Sequence, residues 1–197
     1  MKSSAATAPP SKYGTGKEAL LRAAVSVVAR KGLRGLTYRS VAEAAGVNNT
    51  LVAHHFGTRD ALIAAALGWA TEQSISASRL REAAALGHSF TETLLDELLA
   101  EPELQVFQYE MILEARRRPE LSEAVTALYE SYVDALAAGL GAAGLTTNVR
   151  VVARTLFAAL DGLVLQYLAG VDRSAIAASL DEVHDVLLLR IGPGTRP

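Results

Sequence analysis

The 197-residue chain carries 19 Lys and Arg against 21 Asp and Glu, a net charge of −2, with half of its residues apolar and no cysteine. That apolar share excludes wholesale disorder, and the missing thiols exclude a disulfide scaffold, a thiolate nucleophile and any Cys-ligated zinc or iron–sulfur site. The charge is uneven: residues 1–60 hold nine Lys and Arg and three acids, net +6, while the remainder holds ten bases and eighteen acids, net −8. A small basic piece suited to a polyanion is joined to a larger acidic one that a polyanion would repel.

In chain order, residues 1–14, with Pro9-Pro10 and Gly14, show no periodicity and read as a disordered, slightly basic arm. Thr15 and Glu18 have capping-box spacing, and Leu20, Leu21, Ala24, Val25 and Val28 recur at helical spacing up to Arg30-Lys31-Gly32. Thr37 is the next N-cap candidate, ahead of Val41, Ala42 and Ala45, and Gly46 breaks that pattern. Asn48 caps a short segment to His55, Gly57-Thr58 breaks and recaps, and a longer helix runs from Thr58 toward Arg81. Further helices are expected at about 89–100, 102–117, 120–141, 148–169 and 173–190, punctuated by Gly87, Pro102, Pro119, the Gly139/Gly141/Gly144 cluster and Gly170. No segment alternates as a strand does. The expectation is an all-α protein of about nine helices: a disordered arm over 1–14, a three-helix domain over 15–57, and a helical bundle over 58–197.

Residues 37–56 read TYRSVAEAAGVNNTLVAHHF. Two short helices that cross need a small residue at the crossing, which Ala42 supplies. Four residues on, the tight turn favours a left-handed backbone, which Gly46 adopts at little cost. Val47 and Val52 are the expected plugs between the helices. This is the helix-turn-helix pattern, whose second helix can lie in a DNA major groove. Three helix N-termini, at Thr37, Asn48 and Thr58, fall within 22 residues, and each offers free N–H groups and a positive dipole end to phosphate.

The stretches GLTYRSVAEAAGV (35–47) and HFGTRDAL (55–62) resemble the N-terminal domain of the tetracycline-repressor (TetR) family of bacterial regulators. The resemblance covers about residues 17–67; the remainder is similar in architecture alone. It implies that Thr37 caps helix 2 and binds a phosphate, and that Arg39 reaches a base or the backbone. It implies that Asn48, Asn49 and Thr50 open the recognition helix. By the same resemblance His55 stands where the family has its usual His and Arg59 where it has a phosphate-anchoring Lys; His54 and His55 themselves read as groove-facing polar residues. Phe56 is expected as a core plug. Where the family commonly has an aromatic pair before the His, this chain has Ala53 and His54.

Other features carry blander readings. Adjacent helix residues point about 100° apart, so His54 and His55 cannot chelate one ion, and no metal or cofactor is expected. His88 and His184 are isolated and read as solvated or hydrogen-bonded. Arg116-Arg117-Arg118 reads as a helix end stabilised by the macrodipole. Val151–Val171, the most apolar window, is interrupted by Arg154, Asp161 and Gln166. A bilayer span needs ~20 nearly unbroken apolar residues, so no membrane segment is expected. No basic head followed by an apolar run opens the chain, and the expected compartment is the cytoplasm.

The helix at 148–169 is apolar almost all round and must be buried on more than one side. With the helix at 173–190 it is expected to form a two-fold interface, through Val152, Leu156, Leu163, Tyr167, Leu180, Val183 and Leu187. Trp69, Phe107, Gln108, Met111, Tyr129 and Gln166 are the candidates for a mostly apolar small-molecule pocket. The expected function is that of a homodimeric, ligand-responsive transcriptional regulator, a repressor of a palindromic double-stranded DNA operator released by a small-molecule effector, and not an enzyme. The rival is a helical-bundle enzyme or carrier, for which Glu110 and Glu114, one helical turn apart, are the best acid/base pair.

Overall fold

A computed structural model describes residues 12–77 and 90–191. Among them are nine α-helices and no strand: α1 (Lys12–Lys31), α2 (Tyr38–Ala45), α3 (Asn49–Phe56), α4 (Arg59–Ala77), α5 (Phe90–Ala100), α6 (Pro102–Ala115), α7 (Ser122–Ala142), α8 (Val149–Leu168) and α9 (Arg173–Ile191). The expected arm lies outside the described residues except at 12–14, which are helical. α1 therefore starts ahead of Thr15, which sits inside the helix and cannot be its N-cap. Glu18 instead pairs with Arg22 one turn on, at 3.4 Å. Gly87 and His88 lie outside the described residues.

The chain divides into two compact units between Ala66 and Leu67, inside α4. In the first, α1 packs on α2 and α2 on α3. Its core holds the predicted Leu20, Leu21, Ala24, Val25 and Val28 of α1, with Val41, Ala42, Val52 and Phe56 from the two short helices and Leu62 and Ile63 from α4. Gly46 ends α2 in the left-handed conformation, φ 67°, and the Val47 N–H reaches back to the Ala42 carbonyl at 2.9 Å. This turns the chain sharply into α3. Val52 is fully buried, as expected of a plug, but Val47 stays 37% exposed: the turn that hydrogen-bonds its amide leaves its side chain at the rim.

In the second unit α6 packs on α7, α7 along α8, and α9 on both α8 and α5. Phe90 of α5 stacks on His184 of α9, centroids 4.7 Å apart. The Nε2 of His184 is buried with no hydrogen-bond partner among the described residues, which corrects its reading as solvated or hydrogen-bonded. α6 ends at Ala115, and Arg117 and Arg118 fold back onto Glu114, each at 3.0 Å. By length and composition α8 is apolar enough to cross a membrane. It lies against α7, with Ala153, Leu160 and Val164 buried and Arg150 and Arg154 paired with Glu130 of α7.

The interface candidates need correction. Val152, Leu156, Leu163, Leu180 and Leu187 are buried within the chain's own core, and Tyr167 and Val183 are half-buried. The side chains that α8 presents to solvent form another stripe at helical spacing: Val151, Thr155, Ala158 and Leu165. On α9 the exposed apolar residues are Val186, Leu188 and Leu189, the last 84% accessible. Helical periodicity allows more than one apolar stripe on α8, and the one through Val152, Leu156 and Leu163 faces inward.

Candidate functional site

The first unit builds three capped N-termini close together in sequence. The Thr37 hydroxyl accepts the Ser40 N–H at 3.0 Å, and the Ser40 hydroxyl accepts the Thr37 N–H at 2.9 Å. The Asn48 side chain accepts the Leu51 N–H at 2.9 Å, and Thr58 accepts the Ala61 N–H at 3.1 Å. Thr37, Asn48 and Thr58 are exposed. Each cap satisfies one amide of its first turn, and its other side faces solvent.

α3 carries Asn49, Thr50 and His54 exposed, Thr50 and His54 one turn apart on one face. His55 is half-buried, with its ring 6.1 Å from that of Phe56. The imidazoles of His54 and His55 meet edge-on at 5.7 Å. Arg39 is exposed and its Nε lies 2.8 Å from Glu43, one turn along α2. The hydrogen bond first and the opposite charge second raise the guanidinium pKa and hold the Glu43 carboxyl below its ordinary range.

Arg59 is placed differently. Its Nε donates to the Leu36 carbonyl at 2.8 Å and its Nη2 to the Leu33 carbonyl at 2.6 Å. The guanidinium thus clamps the start of α4 to the turn between α1 and α2. A Lys, with one ammonium and no fork, cannot reproduce this.

The second unit contains a small cleft that opens to solvent. α6 lines it with Gln105, Gln108, Tyr109 and Ile112, and α7 with Leu128, Tyr129 and Tyr132. Phe157 and Asp161, one turn apart, complete it from α8. Beneath it, the Gln108 side chain donates to Ser74 of α4 at 2.8 Å and accepts from the Tyr132 hydroxyl at 3.1 Å, all three buried. The Tyr109 hydroxyl donates to the Asp161 carboxylate at 2.7 Å. Burial pushes the Asp161 carboxyl above its ordinary range, against hydrogen bonds from Tyr109 and Tyr129 that favour the ionised form. Burial, then the hydrogen bond to Asp161, pushes the Tyr109 hydroxyl far up, so that it remains a donor.

Of the six pocket candidates, Gln108 and Tyr129 line this cleft. Phe107 and Met111 are fully buried core residues, Trp69 is half-buried on α4, and Gln166 is exposed on α8; none of these four lines it. Sequence reasoning pointed to Tyr109 as a further aromatic of these helices, and missed Tyr132, Phe157 and Asp161. The available signal was an acid in the most apolar helix, one turn from a Phe. Of the acid/base pair, Glu114 is already held by two arginines, and no cluster of three or more metal-ligating residues occurs among the described residues.

Residues 20–66 match the family described as bacterial regulatory proteins, tetR family, and residues 81–188, more than half of the chain, match the tetracyclin repressor-like C-terminal domain. The chain belongs to the TetR family. Its C-terminal match is to the family's ligand-binding half, and its N-terminal match to the DNA-binding helix-turn-helix. The chain is 25% identical over 185 residues to the HTH-type nicotine-responsive transcriptional repressor HdnoR of Paenarthrobacter nicotinovorans, covering 89% of this chain and 95% of that one. Among solved structures, a transcriptional regulator from Rhodococcus sp. Rha1 superposes with a TM-score of 0.71 at 26% identity, covering 88% of this chain and 96% of that one. The multidrug binding protein EbrR, solved in complex with imidazole, superposes with a TM-score of 0.65 at 29% identity, covering 96% of this chain and all of that one.

Proposed function

We propose that this TetR-family chain is a ligand-responsive transcriptional repressor that binds a palindromic operator as a homodimer in the cytoplasm and releases it when a small-molecule effector binds. One observation carries the reading: Asn49, Thr50 and His54 stand exposed on a helix capped at its start by Asn48, in the part of the chain with net charge +6. Phosphate contacts give such a head its affinity, and base-edge contacts its choice of sequence. Thr37, Asn48 and Arg39 supply the phosphate side; Asn49, Thr50, His54 and His55 supply the groove side. Arg59 serves this interface by bracing α4, and its remaining N–H groups are available to phosphate.

The dimer uses the exposed stripes of α8 and α9, centred on Ala158, Leu165, Val186 and Leu189, which lie outside the chain's own core. Two copies related by a two-fold axis present two recognition helices to half-sites about 34–36 Å apart. The effector occupies the cleft lined by Gln108, Tyr129 and Asp161. Support comes from EbrR, solved with imidazole, proflavin and ethidium, and from the name of the nicotine-responsive repressor. α4 carries Arg59 near one end and Ser74 near the other. An effector that binds better to a conformer in which the Ser74–Gln108–Tyr132 hydrogen bonds are broken shifts the population toward that conformer, whose half-site spacing is wrong.

The test is fluorescence anisotropy with labelled duplexes from the protein's own promoter region over a range of salt concentrations. Attachment that weakens steeply with salt is expected; its absence on every duplex overturns the reading. Asn49→Ala is expected to change which sequence is preferred, whereas uniform weakening removes Asn49 from the base readers.

A further inference from the structure

The cleft's charge is one-sided. Among the described residues its lining contains one acid, Asp161, and no Lys, Arg or His. The basic residues that precede Asp161 on α8 are occupied elsewhere: Arg154 binds Glu130 at 2.6 Å, and Arg150 binds both Glu130 and Asp134. Among the described residues the carboxylate is met by the Tyr109 and Tyr129 hydroxyls and by no counter-ion. Asp161 is half-buried; a partly desolvated carboxylate without an opposite charge is costly, and a bound cation lowers that cost.

The walls suit the same guest. Three of the chain's six tyrosines and one of its four phenylalanines line this cleft. Tyr132 and Phe157 stack at 4.7 Å, and Tyr129 meets Phe157 edge-on at 5.6 Å. Aromatic faces attract organic cations through their quadrupoles, the more so where water is displaced. The hydroxyls of Tyr109, Tyr129 and Tyr132 are all pushed up in pKa, by burial above all, so they stay neutral, and among the described lining residues Asp161 alone is able to carry charge near neutral pH.

We propose that the cleft selects small organic cations, an amine or quaternised aromatic ring, with Asp161 as counter-ion and Tyr129, Tyr132 and Phe157 as the aromatic wall. This rests on the reading of the cleft as the effector site and adds the charge of the effector.

The probes are ethidium, a permanent cation, and phenanthridine, its uncharged ring system at pH 8, titrated into the full chain without DNA. Asp161→Asn is expected to weaken ethidium roughly tenfold or more, and to leave phenanthridine within about twofold. Equal loss of both ligands makes Asp161 a merely structural residue, and no loss of either removes it from the site; both overturn the proposal. If Asp161→Asn does not fold, a pH series on the unaltered protein decides. Ethidium's charge is fixed, so its affinity falls on acidification as Asp161 takes up a proton, with a midpoint above the ordinary carboxyl range. The facing groups, Tyr109 on α6 and Tyr129 and Tyr132 on α7, do not titrate there; a flat profile overturns the proposal. Promoter binding is measured in parallel. Operator binding without charge selectivity sinks the cation inference alone. Charge-selective binding without operator binding sinks the regulator reading alone.

Discussion

Arg59 commits its guanidinium to two main-chain carbonyls in the turn that joins α1 to α2, so its loss is felt in folding as well as in binding. Arg59→Ala removes two charge-assisted hydrogen bonds and is expected to cost about 1–3 kcal/mol. A unit of this size then melts lower by about 4–8 °C per kcal/mol, which calorimetry or thermal circular dichroism reads directly. Arg59→Lys is expected to recover little of it. An unchanged melting temperature would leave Arg59 as a DNA contact only. Arg39 gives the complementary case. It is exposed and paired with Glu43, and Arg39→Ala is expected to lower the slope of log affinity against log salt by about one while leaving the melt unchanged. At this scale the caps at Thr37, Asn48 and Thr58 were legible, because a cap is a contact over two or three residues. The clamp of Arg59 was not, because its partners lie 23 and 26 residues away and nothing local marks them.

Among the elements, the pair α2–α3 depends on one backbone conformation. Gly46 sits at φ 67° with nothing within 4 Å of where a Cβ would stand. Gly46→Ala therefore meets no clash, and its expected cost is the left-handed conformation alone, about 1–2 kcal/mol. Chemical denaturation measures it, and a neutral result would mean that the turn readily adopts another form. The turn was legible from the Ala42-to-Gly46 spacing. α8 shows where such reading stops. Helical periodicity tells which residues share a face, but a helix apolar all round has several such faces. Which one is inward depends on α7, and here it is the face of Leu156, Leu160 and Leu163. The cleft was half legible for the same reason: Gln108 and Tyr129 stood out by type, whereas Asp161 acquired meaning only once α6, α7 and α8 brought three tyrosines around it.

For the whole molecule, the two stripes of α8 predict opposite outcomes from one kind of substitution. Leu165 is 47% exposed and Leu163 only 7%. Leu165→Glu is expected to give a folded monomer with weakened operator binding, seen by sedimentation and anisotropy. Leu163→Glu is expected to unfold the second unit, because it buries a charge without a partner. A dimeric Leu165→Glu protein would move the two-fold seam off this stripe. One residue already described has a practical use. The chain has a single tryptophan, Trp69, part-way along α4 between the Arg59 clamp and the Ser74 hydrogen bond. Its intrinsic indole emission is an unlabelled optical gauge of that helix, free of any second emitter of its kind, against which candidate metabolites can be screened.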